Sequence, residues 1–369
     1  MILTDKEYSK IRITQVTGRY VTNEHIQEFL SALSTDFAVT DIGLSVQRNK
    51  IQSITFGHGP KRILIWSQMH GNESTTTKAI LDFLYFMQLD EQFVSKVLEE
   101  CMFKIIPILN PDGAKAYTRV NANGIDLNRD AQDLSQPESQ ILRHIYKEFE
   151  PHYCFNMHDQ RTIFNVGDTN LPATVSFLAP AFDVERNISS TRAASMLLIA
   201  AMNKTLQTLI PGQVGRYDDS FNSNCVGDAF QMSHTPTILF EAGHFPNDYE
   251  REETRKLIFH ALLAAVETIS NDSLESFTIE DYANIPDNNK LFCDILIKNA
   301  EHIDAKLPKA SNLFVLYREV LQNRTVFFQP TVLSKADSEL VQFGHLTKDC
   351  AVAEDVAWLT VNGILELIK

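Results

Sequence analysis

The chain has no paired cysteines, no basic run and no apolar stretch of membrane length, and each absence argues against a class of protein. Its five cysteines, Cys101, Cys154, Cys225, Cys293 and Cys350, are odd in number and widely spaced, with no C-x-x-C pair. That pattern suits reduced, mostly buried thiols rather than a disulfide framework. No uninterrupted apolar run approaches the ~18 residues of a membrane span. The start, Met1-Ile2-Leu3-Thr4-Asp5-Lys6-Glu7, carries acidic residues where a signal peptide has its apolar core. The sequence therefore reads as soluble and cytoplasmic, with no membrane partner. A formal net charge of −14, with no local basic patch to offset it, repels a phosphate backbone, so nucleic acid is not an expected partner. Low-complexity tracts and repeats of fixed period are also missing.

What is present is ordinary globular composition, 44% hydrophobic and 22% charged. A length of 369 residues is long for one domain and suits one large core with a smaller module. Residues 20–35 read as a helix capped by Thr22 or Asn23, with Ile26, Phe29, Leu30 and Leu33 on one face. Two strands follow around Arg48-Asn49-Lys50. The run Ile63-Leu64-Ile65-Trp66, without polar alternation, predicts a strand buried on both faces. Ser74 to Gln88 has helical spacing, Phe103 to Leu109 reads as a strand stopped by the turn former Asn110-Pro111-Asp112-Gly113, and Pro137 to Phe149 reads as a helix. His152 to Met157 is a predicted strand, Ala193 to Leu209 a helix, Pro236 to Phe240 another buried strand, and Glu250 to about Ser270 a long closing helix. Strands alternating with helices predict an α/β fold: a mixed, mostly parallel sheet with helices on both faces and ligands beyond the strand ends. The polar stretch 271–289 reads as a boundary between a large unit at 1–270 and a small β-rich or α+β module at 285–369.

The sharpest local signal is His70-Gly71-Asn72-Glu73, placed between a buried strand and a helix. Alone, His-x-x-Glu fits a solvated helix start as well as a metal site. His158 closes the strand 152–157, and Glu241 follows Pro236-Thr237-Ile238-Leu239-Phe240, so both project where a crevice would open. Either could be an inert strand-end residue if it stood alone.

In order along the chain, His70-Gly71-Asn72-Glu73, Asn110-Pro111-Asp112-Gly113, Arg119, Gly124-Ile125-Asp126-Leu127-Asn128-Arg129, His158 and Phe240-Glu241 form a pattern that resembles the zinc metallocarboxypeptidases of the carboxypeptidase A type, over roughly residues 20–270. The resemblance implies one Zn²⁺ per chain, held by His70, Glu73 and His158 with a position left for water. It further implies that Arg119 polarises the scissile carbonyl and holds the developing oxyanion. Asn128 and Arg129 would bind a peptide's terminal carboxylate, a task suited to a guanidinium fork, unless Asp126 or Asp130 simply pairs with Arg129. Glu241 would be the general base and then proton donor to the leaving amine. The expected partner is a peptide or peptide-like substrate with a free carboxylate.

The departures from the family pattern fall around the substrate. Tyr217, in Gly215-Arg216-Tyr217-Asp218-Asp219, is the nearest candidate for the tyrosine that the family places near the carboxylate, at only approximate spacing. The segment from Arg119 to Asn128 is short, and Gly227-Asp228 stands where the specificity pocket should be lined, so side-chain preference stays open. His58, His144, His234, His244 and His260 read as structural or surface residues. Two other functions fit parts of the pattern: an N-acyl amino acid deacylase of the aspartoacylase and succinylglutamate desuccinylase kind, and a silent peptide-binding relative. Every matched motif precedes residue 245, so the C-terminal module is expected to be dispensable for the chemistry.

Overall fold

The computed structural model describes residues 1–89 and 91–368. Eight strands form the central sheet: β1 (Ala38–Leu44), β2 (Lys50–Gly57), β3 (Lys61–Trp66), β4 (Cys101–Ile106), β5 (Tyr153–Asp159), β6 (Val175–Leu178), β7 (Val214–Arg216) and β8 (Thr237–Ala242), in the spatial order β1-β2-β4-β3-β5-β8-β6-β7. The inner four, β4, β3, β5 and β8, run parallel. On one side β1 and β2 join antiparallel, and on the other β6 runs against β8 with β7 parallel to it.

The run 63–66 shows why such a strand has no polar residue. Ile63 and Ile65 join the core on the face covered by the helices Thr75–Phe86 and Glu252–Ser270, whereas Leu64 and Trp66 enter a second core on the face covered by Pro137–Phe149. Period-two geometry sends neighbours to opposite faces, and both faces are covered. The two helices on the first face are clasped by a buried ion pair. Asp82 accepts from Arg255 at 2.6 Å with neither side chain exposed, and it also takes the Tyr8 hydroxyl and the Ile13 amide. These extra donors satisfy the remaining lone pairs, the condition under which a buried pair is not a net cost.

Two sequence expectations need correction. Asn110-Pro111-Asp112-Gly113 does not make a free-standing turn but opens the helix Pro111–Ala116, with Asn110 as N-cap (Oδ1 accepting from Gly113 N at 2.9 Å) and Pro111 at the first helical position. Proline costs nothing there, because that amide has no partner within the helix. The stretch 271–289 is polar yet packed: it contains the helix Ile279–Ala283, buries Tyr282 and Ile285 in the main core, and pairs Asn288–Asn289 antiparallel with Asn165–Val166.

The C-terminal module is α+β. Its strands β9 (Phe292–Lys298), β10 (Leu313–Gln322), β11 (Thr325–Val332) and β12 (Phe343–Asp349) lie in the order β11-β10-β9-β12, with the helices Ala353–Val361 and Ile364–Ile368 beside them. A small core of its own includes Ile295, Ile297, Val315 and Leu359. It is nonetheless joined to the main body of the fold by a polar seam. Glu319 pairs with the buried Arg19 at 3.0 Å and accepts from Tyr117, Asp294 accepts from Tyr249 at 2.8 Å, and His345 Nε2 meets the Thr162 carbonyl at 2.7 Å. No helix among the described residues is long and apolar enough to cross a membrane.

Candidate active site

The predicted residues gather beyond the C-terminal ends of the parallel strands. After β3 the chain turns sharply, with Gln68 at φ 44° and its side-chain amide donating to the carbonyls of Val21 and Gly71. The loop then passes so close to the helix Pro111–Ala116 that a Cβ on Gly71 would stand 1.9 Å from the Gly113 carbonyl carbon. Only glycine permits that approach. Asn110 ties the two segments further by donating to the Met69 carbonyl at 3.2 Å. The sequence 110–113 therefore buttresses the loop that presents His70 and Glu73.

Opposite that loop, β5 and β8 place His158 and Glu241 as direct partners in parallel register, so both side chains leave the same face of the sheet at the same height. Asp159, next to His158, points into the scaffold and accepts from the Thr75 amide at 3.0 Å and the Thr75 hydroxyl at 2.6 Å. This carboxylate holds the start of the helix that follows Glu73.

His70, Glu73 and His158 offer ligand atoms that all lie within 4.8 Å of one another. Glu73 stands between the rings, 2.8 Å from Nδ1 of His70 and 2.8 Å from Nδ1 of His158, and the two Nδ1 atoms are 3.2 Å apart. Two imidazole nitrogens facing each other within a buried carboxylate's reach is the spacing of ligands around a four-coordinate zinc, about 3.3 Å for bonds of about 2.0–2.2 Å. The donor set therefore fits that ion. On its outer side His70 meets Asp126 through Nε2 at 3.1 Å, an interaction that fixes the tautomer and ring plane.

Asp126 is the residue whose role the motif alone did not give. Its Oδ2 takes Arg119 Nε at 3.0 Å, and its Oδ1 takes the Asn128 amide at 2.9 Å. Burial would raise this carboxyl, but His70 and Arg119 hold it well below the usual range. Asp126 is thus spent on His70 and Arg119, and Asp130 is spent on Ser135 and Gln136. Arg129, by contrast, is exposed and donates to the carbonyl of its neighbour Asn128 at 2.7 Å. Among the described residues it has no carboxylate partner, which removes the alternative pairing open in the sequence.

A cavity of about 600 Å³ joins these groups, with His158, Glu241, Arg119, Asn128, Arg129 and Tyr217 in its lining. Tyr217 is thereby brought to the site despite its loose spacing, its ring 5.3 Å from Phe164 and its phenol pushed up by burial and by Glu241. Burial, with Glu73 and Asp159 nearby, raises the Glu241 carboxyl well above the ordinary range. A cation held by the triad would act in the opposite sense. Asp228 also lines the cavity, accepts the Asn222 amide at 2.9 Å and is pushed up to about 7 by burial. No signal in the sequence points to Lys290, the residue that follows the packed stretch 271–289, or to Phe164, both in this lining.

Residues 22–162 match the family of zinc carboxypeptidases. Among curated relatives the chain is 25% identical over 186 residues to a probable carboxypeptidase 2 of Arthroderma benhamiae, covering 49% of this chain and 34% of that protein. It is 28% identical to a probable carboxypeptidase 2 of Trichophyton verrucosum, covering 50% and 34%. The chain thus spans about a third of the length of these relatives. A metallo-carboxypeptidase from Burkholderia cenocepacia superposes with a TM-score of 0.56 at 18% identity, over 68% of this chain and 70% of that one. Carboxypeptidase A from Helicoverpa armigera gives 0.54 at 15%, over 73% and 80%. The fold is that of the carboxypeptidases, and the resemblance to the zinc metallocarboxypeptidases holds for the segment that carries His70, Glu73, Arg119, Asn128, Arg129 and His158. Tyr217 and Glu241 lie outside the matched segment.

Proposed function

We propose that the protein is a zinc-dependent carboxypeptidase that removes the C-terminal residue of a peptide. The observation that carries this reading is the direct pairing of Glu241 with His158 across parallel strands, which sets a desolvated carboxylate beside a triad fit for one zinc. Zinc at His70, Glu73 and His158 would supply Lewis acidity and bring the pKa of a water molecule to about 7. Glu241 takes the proton as water attacks and returns it to the departing amine. Arg119, whose Nη1 is 3.4 Å from Glu73 Oε1, directs its remaining donors at the oxygen that becomes negative. Asn128 and Arg129 fix the terminal carboxylate at the far side of the cavity, so that only the last peptide bond reaches Glu241.

Protein purified without added metal should contain close to one zinc per chain and release single C-terminal residues from a peptide library. Chelation should abolish the release and added zinc restore it. Full activity in excess chelator, or cleavage only within the peptides, would falsify the reading. Arg129→Ala should raise the Michaelis constant for peptides with a free C-terminus more than for the same peptides as amides, because only the free acids lose a charge partner; a solvent-exposed pair is worth up to about 1 kcal/mol, a few-fold. Equal effects on acids and amides would remove Arg129 from carboxylate recognition.

A further inference from the structure

A second cavity, of about 510 Å³, opens on the other side of Glu73 and Arg119, and its outer wall is the C-terminal sheet. The two cavities share Glu73, Arg119, Asp159, Gln160 and Arg161, so Glu73 and Arg119 stand at their junction, with His70 and His158 in the first cavity. With the leaving residue's carboxylate held at Arg129 in the first cavity, the rest of the substrate must extend into the second. Strand β10 supplies Tyr317 and Arg318 to its wall, and β11 supplies Phe328. The catalytic unit supplies Asn72, whose buried Oδ1 has no hydrogen-bond partner among the described residues and so offers an acceptor for a peptide N–H.

The charges in this cavity are unequally committed. Its carboxylates are all engaged: Glu73 by the two histidines, Glu319 by Arg19, and Asp159 by Thr75. Arg161 and Arg318 are exposed, and their guanidinium groups have neither an ion pair nor a hydrogen bond among the described residues. In a chain with a net charge of −14, two uncompensated guanidiniums facing one cavity are a local reversal of sign, and such a cavity favours an anion. We propose that this cavity is the acyl-side subsite of the same active site, and that Arg161 and Arg318 select substrates with a carboxylate just upstream of the cleaved bond. The inference rests on the carboxypeptidase reading for the orientation of the substrate. The aromatic wall of Tyr317 and Phe328 would take the aliphatic part of a glutamate side chain.

The test compares N-acetyl dipeptides that share a C-terminal residue and carry Glu, Gln or Lys before it. At low salt the native protein should prefer Glu to Gln in kcat/KM by about tenfold, two exposed charge contacts each contributing a few-fold, and the preference should shrink as salt rises. In the double variant Arg161→Gln, Arg318→Gln the ratio should fall towards one, and Arg318→Glu should turn it in favour of Lys. A native ratio near one, or a ratio unchanged in the double variant, overturns the proposal. An N-succinyl amino acid carries its carboxylate on the acyl group itself. Faster turnover of this compound than of the Glu peptide assigns the anion to an acyl group, slower turnover assigns it to a residue side chain, and either preference must be lost in the double variant. If no compound is cleaved, the carboxypeptidase reading fails by itself. The subsite is then tested by calorimetric binding of the Glu and Gln peptides to the native and doubly substituted proteins: about tenfold tighter binding of Glu to the native protein alone supports it, and equal binding overturns it.

Discussion

Glu241→Gln should lower kcat by about 10²–10⁴-fold while leaving zinc content, fold and KM close to those of the native protein. The side chain is buried and lies level with His158 on the neighbouring strand. Glutamine keeps its volume and one carbonyl oxygen, so packing should be undisturbed. What it loses is the capacity to accept a proton as the nucleophile forms and to return it to the leaving amine. A charge also disappears from a site that already contains the Glu73 and Asp159 carboxylates, and burial with those two neighbours is what raises Glu241, so stability should hold or rise slightly. His70→Ala or His158→Ala behaves differently, because each removes one of three converging ligand atoms and should lose metal together with rate. Near-native turnover of the glutamine variant with zinc bound would transfer the role of base elsewhere. Asp228 is then the group to test, since it lines the same cavity and is pushed up to about 7. Asp159 is less suited, being tied to Thr75 at the helix start.

The legible parts of the sequence were those in which one local rule decides the outcome. Ile63-Leu64-Ile65-Trp66 has to be buried on both faces, and Pro137–Phe149 carries its own proline start and amphipathic period, so the sequence marks both ends of that helix. The short strands β6 and β7, of four and three residues, left no such trace, because their length is below what alternation can mark. His70, Glu73 and His158 stand as ligands only through the family resemblance, since spacing alone fits a solvated helix start as well; what the fold adds is that their donor atoms converge. Asp126 was visible in the motif, but its work was not, since whether an aspartate serves His70, Arg119 or Arg129 depends on where a loop folds. In the sequence residues 110–113 mark only the end of a strand, whereas their role in bracing the His70 loop depends on a backbone approach between two segments distant in sequence. Tyr217 could not be decided from spacing because β7 and the loop after it set its position.

The order of motifs in the sequence says nothing about the contacts the C-terminal module makes, and those contacts lead to the opposite expectation: a chain ending at Ser270 should retain at most a small part of the native activity. All the matched motifs survive such a cut. The supports of the loop that follows His158 do not. Thr162 is held by His345, the Ile163 carbonyl by the Phe292 amide at 3.2 Å, Asn165 Oδ1 by the Leu291 amide at 3.1 Å, and Gln160 Oε1 by Asn288 at 3.0 Å. Removing all four frees the segment immediately beyond His158, a proposed zinc ligand, and displacement of about 1 Å in an active site costs on the order of 10²-fold in rate. The cut also bares Tyr249, which packs 5.2 Å from Tyr317 and 5.3 Å from Phe328, together with the part of the main core covered by Tyr282 and Ile285. Exposed apolar surface of that kind favours aggregation. Arg19 separates loss of support from loss of stability. In the shortened chain it faces water and needs no partner. In full-length Glu319→Ala it stays buried without its carboxylate, a defect that costs about 3–5 kcal/mol against a total of about 5–15 kcal/mol. The full-length variant should therefore unfold at a clearly lower urea concentration yet cleave at near-native rate under conditions where it is folded, apart from any change in substrate preference. The shortened chain should be poorly active even in the soluble fraction that binds zinc. A soluble 1–270 protein with native kcat would show that the seam is not needed for the chemistry and that the catalytic unit is self-sufficient.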